Sequence, residues 1–214
     1  LTAIVKLSAA VKLGPDTLRE VAGVAFLEGD ELVKTPARAQ IPKLDSVPWP
    51  DREAIDIDAY IETWRRHHGH GSVSLITARG CPFHCQWCSH AVYGHSHRRR
   101  SVTDVADEVE YIIARYQPDM LWYADDVFTI HKRWFFKYAE ELLSRGVRIP
   151  FETISREDRL DEKIVAKLAE IGCKRIWVGA ESGSQRVLDR MQRSTDAERV
   201  IEMVHLLQKY GIEA

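Results

Sequence analysis

Three thiols fall within eight residues at Cys81-Pro-Phe-His-Cys85-Gln-Trp-Cys88, a C-x3-C-x2-C spacing, and the chain has one other cysteine, Cys173. Cysteines this close in a loop can turn toward one point, and thiolate is the ligand that selects zinc, copper(I) or iron–sulfur clusters. Spacing alone leaves two chemistries open. A histidine from among His84, His90, His95 and His97 could complete a structural zinc site. Alternatively, the trio holds an iron–sulfur cluster. A four-iron cluster that only carries electrons takes four protein ligands, so three leave one iron open to a small molecule. Disulfides fit poorly, because nothing in the sequence suggests an oxidising compartment. Cys173 follows Gly172 between a helical and a strand pattern. That position suits a small buried residue, and Cys173 is not counted as a ligand.

The elements around these cysteines alternate. Val73–Ala78, Met120–Tyr123, Ile149–Ile154 and Arg175–Ala180 read as strands, and a fifth would begin at Ile212. Between them lie helical patterns. The first opens on the capping-box-like Ser101-x-x-Asp104 and turns Val105, Val109, Ile112 and Ile113 to one face. The second covers His131–Arg145 and stops at Gly146. The third runs from Asp161, with Ile164, Val165, Leu168 and Ile171 inward, to Gly172. Ser184–Met191 and Asp196–Tyr210 follow, the latter with Val200, Met203, Val204 and Leu207 on one side. Strands alternating with helices predict an α/β fold with a parallel sheet, here the first four to five units of a (β/α) TIM-type barrel. A flat doubly wound sheet is the competitor, but no G-x-G-x-x-G follows the first strand.

In such barrels chemistry gathers at the C-terminal strand ends. Here those ends carry the three cysteines, then Asp125 and Asp126, then Glu152, Thr153, Ser155 and Arg156, then Gly179-Ala-Glu181-Ser182-Gly183-Ser184. One such carboxylate is readily a helix cap; four strands delivering polar groups to one rim are not.

The 214 residues are 45% apolar and 29% charged with formal net charge −2. That composition predicts no global attraction to nucleic acid or anionic membrane. No apolar run reaches the roughly 18–20 residues of a membrane helix. The opening Leu1–Leu13 carries Lys6 and Lys12 and lacks a cleavage pattern, so cytoplasm is the expected setting. The start at Leu1 and the stop at Gly211-Ile-Glu-Ala214 read as cuts in a longer chain. Residues 1–35 hold a short helical piece at Pro15–Val21 and a hairpin, Val24–Leu27 and Leu32–Val33 about Gly29-Asp30. Residues 36–71 hold Pro36, Pro42, Pro48 and Pro50 in an extended linker, then a helical piece at Asp56–Trp64; residues 72–214 form the core. The run His97-Arg98-Arg99-Arg100 could face RNA, but a solvated loop or a rim clamp suits one short cluster better. Trp134, Phe135, Phe136 and Tyr138 read as helix–barrel packing.

Cys81-x3-Cys85-x-Trp87-Cys88, with an aromatic before the last cysteine, resembles the cluster motif of the radical S-adenosylmethionine (SAM) superfamily. The resemblance extends to Met191. It implies that Cys81, Cys85 and Cys88 hold a [4Fe–4S] cluster whose fourth iron takes the amino and carboxylate groups of SAM. It further implies reductive cleavage of SAM to a 5′-deoxyadenosyl radical that abstracts hydrogen from a small-molecule substrate. The electron would come from a donor of flavodoxin or ferredoxin type. Trp87 stands where the family's aromatic packs near adenine. Asp125 or Asp126 stands at the strand-two contact to the SAM amino group, with Tyr-Ala-Asp-Asp in place of the frequent Gly-Gly-Glu. Arg156 is the candidate for the SAM carboxylate, since a guanidinium binds carboxylate in bidentate fashion. Glu181 and Ser182 resemble the strand-four ribose motif. Lys43-Leu-Asp45-Ser-Val-Pro48-Trp-Pro50 resembles the junction that follows the cobalamin domain in cobalamin-binding members, so residues 1–35 would be the tail of that domain. Cobalamin would then serve methyl transfer or related C–H functionalisation. A cobalamin-independent member, such as a methylthiotransferase or RNA-modifying enzyme, and a non-catalytic zinc or electron-transfer module are the alternatives.

Overall fold

The computed structural model describes residue 12, residues 14–88 and residues 93–214, in two compact units, Leu1–Ile41 and Pro42–Ala214. The first holds α1 (Pro15–Arg19) and a hairpin of β1 (Ala25–Glu28) and β2 (Glu31–Lys34). Pro15 opens the helix where its missing N–H costs nothing. Gly29 takes φ 61° in the two-residue turn, and Leu27 faces Leu32 across the pair. Most of the apolar opening segment, residues 1–11 and 13, lies outside the described residues.

The second unit begins with the proline-rich segment and α2 (Ile57–His68). Asp56 caps α2 by accepting from the Ala59 amide at 2.9 Å, and Gly69 ends it at φ 79°. There follow β3 (Ser72–Leu75), β4 (Ala78–Arg79), β5 (Arg98–Arg99), α3 (Val102–Tyr116), β6 (Met120–Tyr123), α4 (Lys132–Ser144), β7 (Phe151–Ser155), α5 (Glu162–Glu170), β8 (Cys173–Val178), α6 (Gln185–Arg190) and α7 (Ala197–Lys209). The main sheet is β3-β6-β7-β8, parallel throughout. A parallel bridge from Arg175 to Glu213 starts the next strand. This is an α/β sheet of the partial barrel type.

One face of the sheet is dry. Val105, Val109 and Ile112 of α3, Phe135, Tyr138 and Leu142 of α4, and Ile164, Val165 and Leu168 of α5 pack on Val73, Leu75, Leu121, Tyr123, Phe151 and Ile176. Tyr123 and Tyr138 are both buried and join their hydroxyls at 2.6 Å, so neither leaves a polar atom stranded. Asp161 and Asp196 cap α5 and α7, and Ser101 caps α3.

Strand boundaries shift by one to three residues from the sequence reading, and three of the shifts have a local cause. β3 stops at Leu75 instead of Ala78, because the Thr77 and Ala78 amides go to the Asp125 carboxylate rather than to a neighbouring strand. β7 starts at Phe151 instead of Ile149, since Pro150 has no N–H to give the ladder. β8 enters two residues early, at Cys173, directly from the left-handed Gly172.

The segment read as a linker also differs. Residues 42–54 contain short 3-10 turns at Leu44–Ser46 and Arg52–Ala54 and pack on the barrel within the same compact unit. Asp45 accepts from the Ser101 amide, Trp49 Nε1 donates to Asp104, and Arg52 Nη2 donates to the Ser74 carbonyl. Arg52 Nη2 also stands 2.7 Å from Glu108 Oε1, an ion pair without hydrogen-bond alignment, and Arg100 pairs with the other Glu108 oxygen. Glu108 lies on α3 and is fully buried.

Removing one partner of a buried charge cluster strands the others, at a cost of about 3–5 kcal/mol. Glu108→Ala is therefore expected to lower unfolding stability by about that much in urea titrations. A loss under about 1 kcal/mol would show that the two arginines reach water without it.

Candidate functional site

The cysteine loop leaves the sheet at Leu75 and returns to α3 at Ser101, and both legs are pinned. Asp125, only 1% exposed, accepts from Thr77 N at 2.7 Å, Ala78 N at 3.1 Å and Thr77 Oγ1 at 2.5 Å. Arg99 on the returning leg donates to Thr77 Oγ1 at 2.9 Å and to the Phe128 carbonyl at 2.9 Å, and sits 3.4 Å from Asp125. Burial pushes the Asp125 carboxyl up and the Arg99 guanidinium down, and each charge opposes the other's shift. β4 and β5 zip the legs together above this pair. Gly80 has φ 86°, and a Cβ there would lie 1.9 Å from the Ser96 carbonyl, so only glycine passes.

Cys81 is half-buried, Cys85 buried and Cys88 exposed, all as free thiols. The Cys88 amide donates to the Cys85 carbonyl, closing a turn, and Gln86 N donates to Met191 O, joining the loop to the end of α6. Two guanidiniums reach Cys85: Arg156 Nη1 stands 3.8 Å and Arg193 Nη1 3.9 Å from its sulfur. Arg156 is otherwise fully engaged. Its Nε donates to Asp158, its Nη2 to the Arg193 and Ser194 carbonyls, and its face covers Phe83 at 3.9 Å. Arg193 has more to give: Nη2 donates to Gly179 O at 2.7 Å, Trp87 lies 5.9 Å away, and its Nε is buried without a partner.

The other residues named from sequence divide. Asp126, on the exposed side of the turn after β6, adds its charge to the field at Cys81 and Cys88. Asp125 spends its carboxylate on the loop legs and faces away from that role. Glu181 holds φ 60°, a left-handed conformation unfavourable for a residue with a side chain, and its charge reaches Cys88. Ser182 Oγ accepts from Ser184 N, and Trp87 is 44% exposed. Arg193 escaped the sequence reading. The visible trace was Gly179, where a Cβ would meet Arg193 Nη2 at 2.5 Å. The glycine is legible; the partner 14 residues on is not.

The basic run is a clamp. Arg98 donates to the Tyr93 carbonyl, Arg99 holds Asp125, and Arg100 holds Asp104, Glu108 and the Ile76 carbonyl. His84 stacks on His95 at 4.2 Å, while His90 lies outside the described residues. Among the described residues no three His, Cys, Asp or Glu side chains form a ready set for a single metal ion.

A family model for the radical SAM superfamily matches residues 75–214, beginning at the last residue of β3 and running through every element that frames the cysteine loop. The chain belongs to the radical SAM superfamily. Membership implies a [4Fe–4S] cluster and SAM as cofactors. The donor set fits. Burial pushes the Cys81 and Cys88 thiols up, and the neighbouring thiols and Asp126 push them further. A polycationic cluster bound by these thiols would relieve that crowding, and the Arg156 and Arg193 guanidiniums beside Cys85 would offset its thiolate charge.

The radical SAM chain is 27% identical over 198 residues to an uncharacterized methyltransferase of Pyrococcus horikoshii, covering 92% of this chain and 42% of the relative. It is 30% identical over 203 residues to the anaerobic magnesium-protoporphyrin IX monomethyl ester cyclase of Cereibacter sphaeroides, covering 92% and 32%. Among solved structures, the cobalamin-dependent SAM radical enzyme OxsB, with aqua-cobalamin and SAM bound, superposes with a TM-score of 0.78 at 24% identity, over 97% of this chain and 31% of that one. The likeness to OxsB is one of fold. The chain spans well under half the length of these proteins.

His97, on the returning leg, packs against His131 at 4.9 Å with neither ring nitrogen hydrogen-bonded. Burial first, then Arg99, His131 and Arg98, push its pKa down to about 4 from 6.5. A depressed folded pKa contributes stability that is present above about 6.5 and lost as pH falls through about 4. Melting temperature should therefore drop over that interval, and His97→Gln should flatten the drop. Parallel curves for both proteins would remove His97 from the acid response.

Proposed function

We propose that the protein to which this chain contributes is a cobalamin-linked radical SAM enzyme that transfers a methyl group to, or otherwise functionalises, a C–H position of a small molecule. The observation that carries it is the convergence on Cys85 of two buried guanidiniums, from the end of β7 and from beyond α6, over a loop that also bears Cys81 and Cys88. In this reading Cys81, Cys85 and Cys88 hold the cluster. When bound, the cluster supplies the electron that cleaves SAM to methionine and a 5′-deoxyadenosyl radical. The protein's own groups orient and shield. Arg193, with its unpartnered Nε, takes the SAM carboxylate, while Arg156 keeps the Cys85 sulfur and the Arg193 backbone in place. Asp126, rather than Asp125, meets the SAM amino group. Glu181 and Ser182 present acceptors to the ribose, and Trp87 flanks the adenine. Cobalamin is supported by the fold shared with OxsB and by the methyltransferase among the relatives. An electron donor of flavodoxin or ferredoxin type and a reducing cytoplasmic setting, which keeps the three thiols free, complete the reading. Among the described residues no helix is long and apolar enough to cross a membrane.

Anaerobic reconstitution of the full-length protein tests this. About four irons per chain and SAM-dependent 5′-deoxyadenosine are expected. Cys85→Ala should lose the iron and Cys173→Ala should keep it, because Cys173 is buried against the Arg175 carbonyl in β8. Bound zinc with no SAM cleavage would overturn the proposal, and equal iron loss from both variants would overturn the ligand assignment.

The two aspartates and Arg193 separate by a different measurement. Charge-assisted contacts are worth roughly 1.5–3 kcal/mol, so Arg193→Met and Asp126→Asn should each weaken SAM binding by roughly 10–100-fold with iron content near normal. Asp125→Asn should instead lower iron loading. The reverse pattern, with Asp126→Asn losing iron and Asp125→Asn losing SAM affinity, would exchange their roles.

A further inference from the structure

Arg156 is the first residue past β7 and is 1% exposed. A guanidinium that deep needs its N–H groups answered. Three segments answer them. Nε donates to Asp158 Oδ1 at 2.8 Å, within the 3-10 turn Glu157–Arg159. Nη2 donates to the Arg193 carbonyl at 2.9 Å and to the Ser194 carbonyl at 3.3 Å. Phe83, two residues ahead of Cys85 on the cysteine loop, covers the guanidinium with its ring centroid 3.9 Å from the central carbon. Arg159 reaches the same ring at 5.2 Å. These contacts fix the guanidinium plane, and the place of Nη1 follows from it. Nη1 stands 3.8 Å from Cys85 Sγ, and Cys85 is itself buried.

The charge of Arg156 is answered unevenly. Asp158 meets it at Nε, and the Asp158 side chain is 28% exposed, so water screens that anion in part. Nη1 faces a buried sulfur, where a charge is screened least. Arg193 Nη1 lies 3.9 Å from the same sulfur, but its buried Nε has no partner and can still take a ligand anion. Arg156 has no such latitude, so its N–H and its charge stay at Cys85 whether or not SAM is bound. A four-iron cluster on three thiolates is already anionic, and an added electron makes it more so. Net charge and hydrogen bonds to the sulfurs are what set the potential of such a cluster.

We propose that Arg156, locked by Phe83, Asp158 and the Arg193 and Ser194 carbonyls, sets the reduction potential of the cluster: its N–H and positive charge beside Cys85 favour the reduced state. This rests on the proposed radical SAM function and gives Arg156 a role in electron uptake separate from SAM binding.

The measurement is a redox titration of the reconstituted full-length protein without SAM, with the reduced cluster followed by EPR. At the wild-type midpoint, Arg156→Gln should hold about tenfold less reduced cluster relative to oxidised, a shift of about 59 mV to more negative potential for a one-electron couple. Arg156→Lys, which keeps the charge without the planar fork, should fall between the two. Asp158→Asn keeps an acceptor for Nε and removes the opposing charge, so its potential should move the other way, above wild type. A merely structural role for Arg156 would move Arg156→Gln and Asp158→Asn in the same direction or leave both at the wild-type potential, and either result overturns the proposal. If Arg156→Gln does not load iron, Asp158→Asn decides alone, and an unchanged or lowered potential there overturns it. Failure of the underlying reading shows separately, as wild type that binds no iron or holds no reducible cluster.

Discussion

The buried carboxylate of Asp125 is the constraint on which the site depends. A carboxylate removed from water needs its charge answered and its lone pairs filled. Asp125 achieves this with two successive amides, a hydroxyl and a guanidinium, all from the two legs of one loop. The consequences are local and geometric. The amides it takes are those that would have extended β3, so the strand ends and the chain turns. Arg99, drawn in by the same charge, brings the return leg alongside, and the hairpin of β4 and β5 follows. The three cysteines are then carried by a loop of fixed base rather than a free excursion between a strand and a helix.

The opposite wall is built by a comparable device. Arg193 crosses from beyond α6 to the Gly179 carbonyl, and it can do so only because residue 179 has no side chain. Arg156 then receives the carbonyls of Arg193 and Ser194. Gln192 and Ser194, on either side of Arg193, sit at positive φ, as does Glu181, so the backbone here bears strain that a plain connection would not. Around Arg193 the strain is held by the bonds that Arg156 makes to the Arg193 and Ser194 carbonyls and that Arg193 makes to the Gly179 carbonyl. Both cations end within 4 Å of the Cys85 sulfur, so the two walls meet at that thiol.

Much of the scaffold was legible in the sequence because it rests on local chemistry. Asp56, Ser101, Asp161 and Asp196 announce helix starts by side chains that reach only their own first turns. Met120–Tyr123 reads as a strand from its own apolar run, and the structure places it there. The cysteine spacing with Trp87, joined by matches running to Met191, carried the resemblance to the superfamily whose model matches residues 75–214. What escaped were properties set by distant partners. The early end of β3 depends on a carboxylate 48 residues away, and no propensity at Ile76 or Ala78 foretells it. The proline-rich segment looked like a tether because its prolines preclude regular structure. Its packing depends on Glu108 being buried between Arg52 and Arg100, a pairing invisible from either end. The same blindness concealed Arg193 and left Asp125 and Asp126 indistinguishable, adjacent in sequence and alike in type.

Those two aspartates show how the fold gives one dipeptide two environments. Successive residues leaving a strand point to opposite sides. Here one side is the closed base of the cysteine loop and the other opens toward the sulfurs. The inward carboxylate is consumed by structure, while its neighbour Asp126 is exposed and adds its charge at Cys81 and Cys88. Burial first, then the Asp126 charge and the neighbouring sulfurs, pushes the Cys81 and Cys88 thiols up. Asp125 and Arg99 thus answer each other at the base of the loop, while at Cys88 the negative charges of Asp126 and Glu181 are opposed by Arg193.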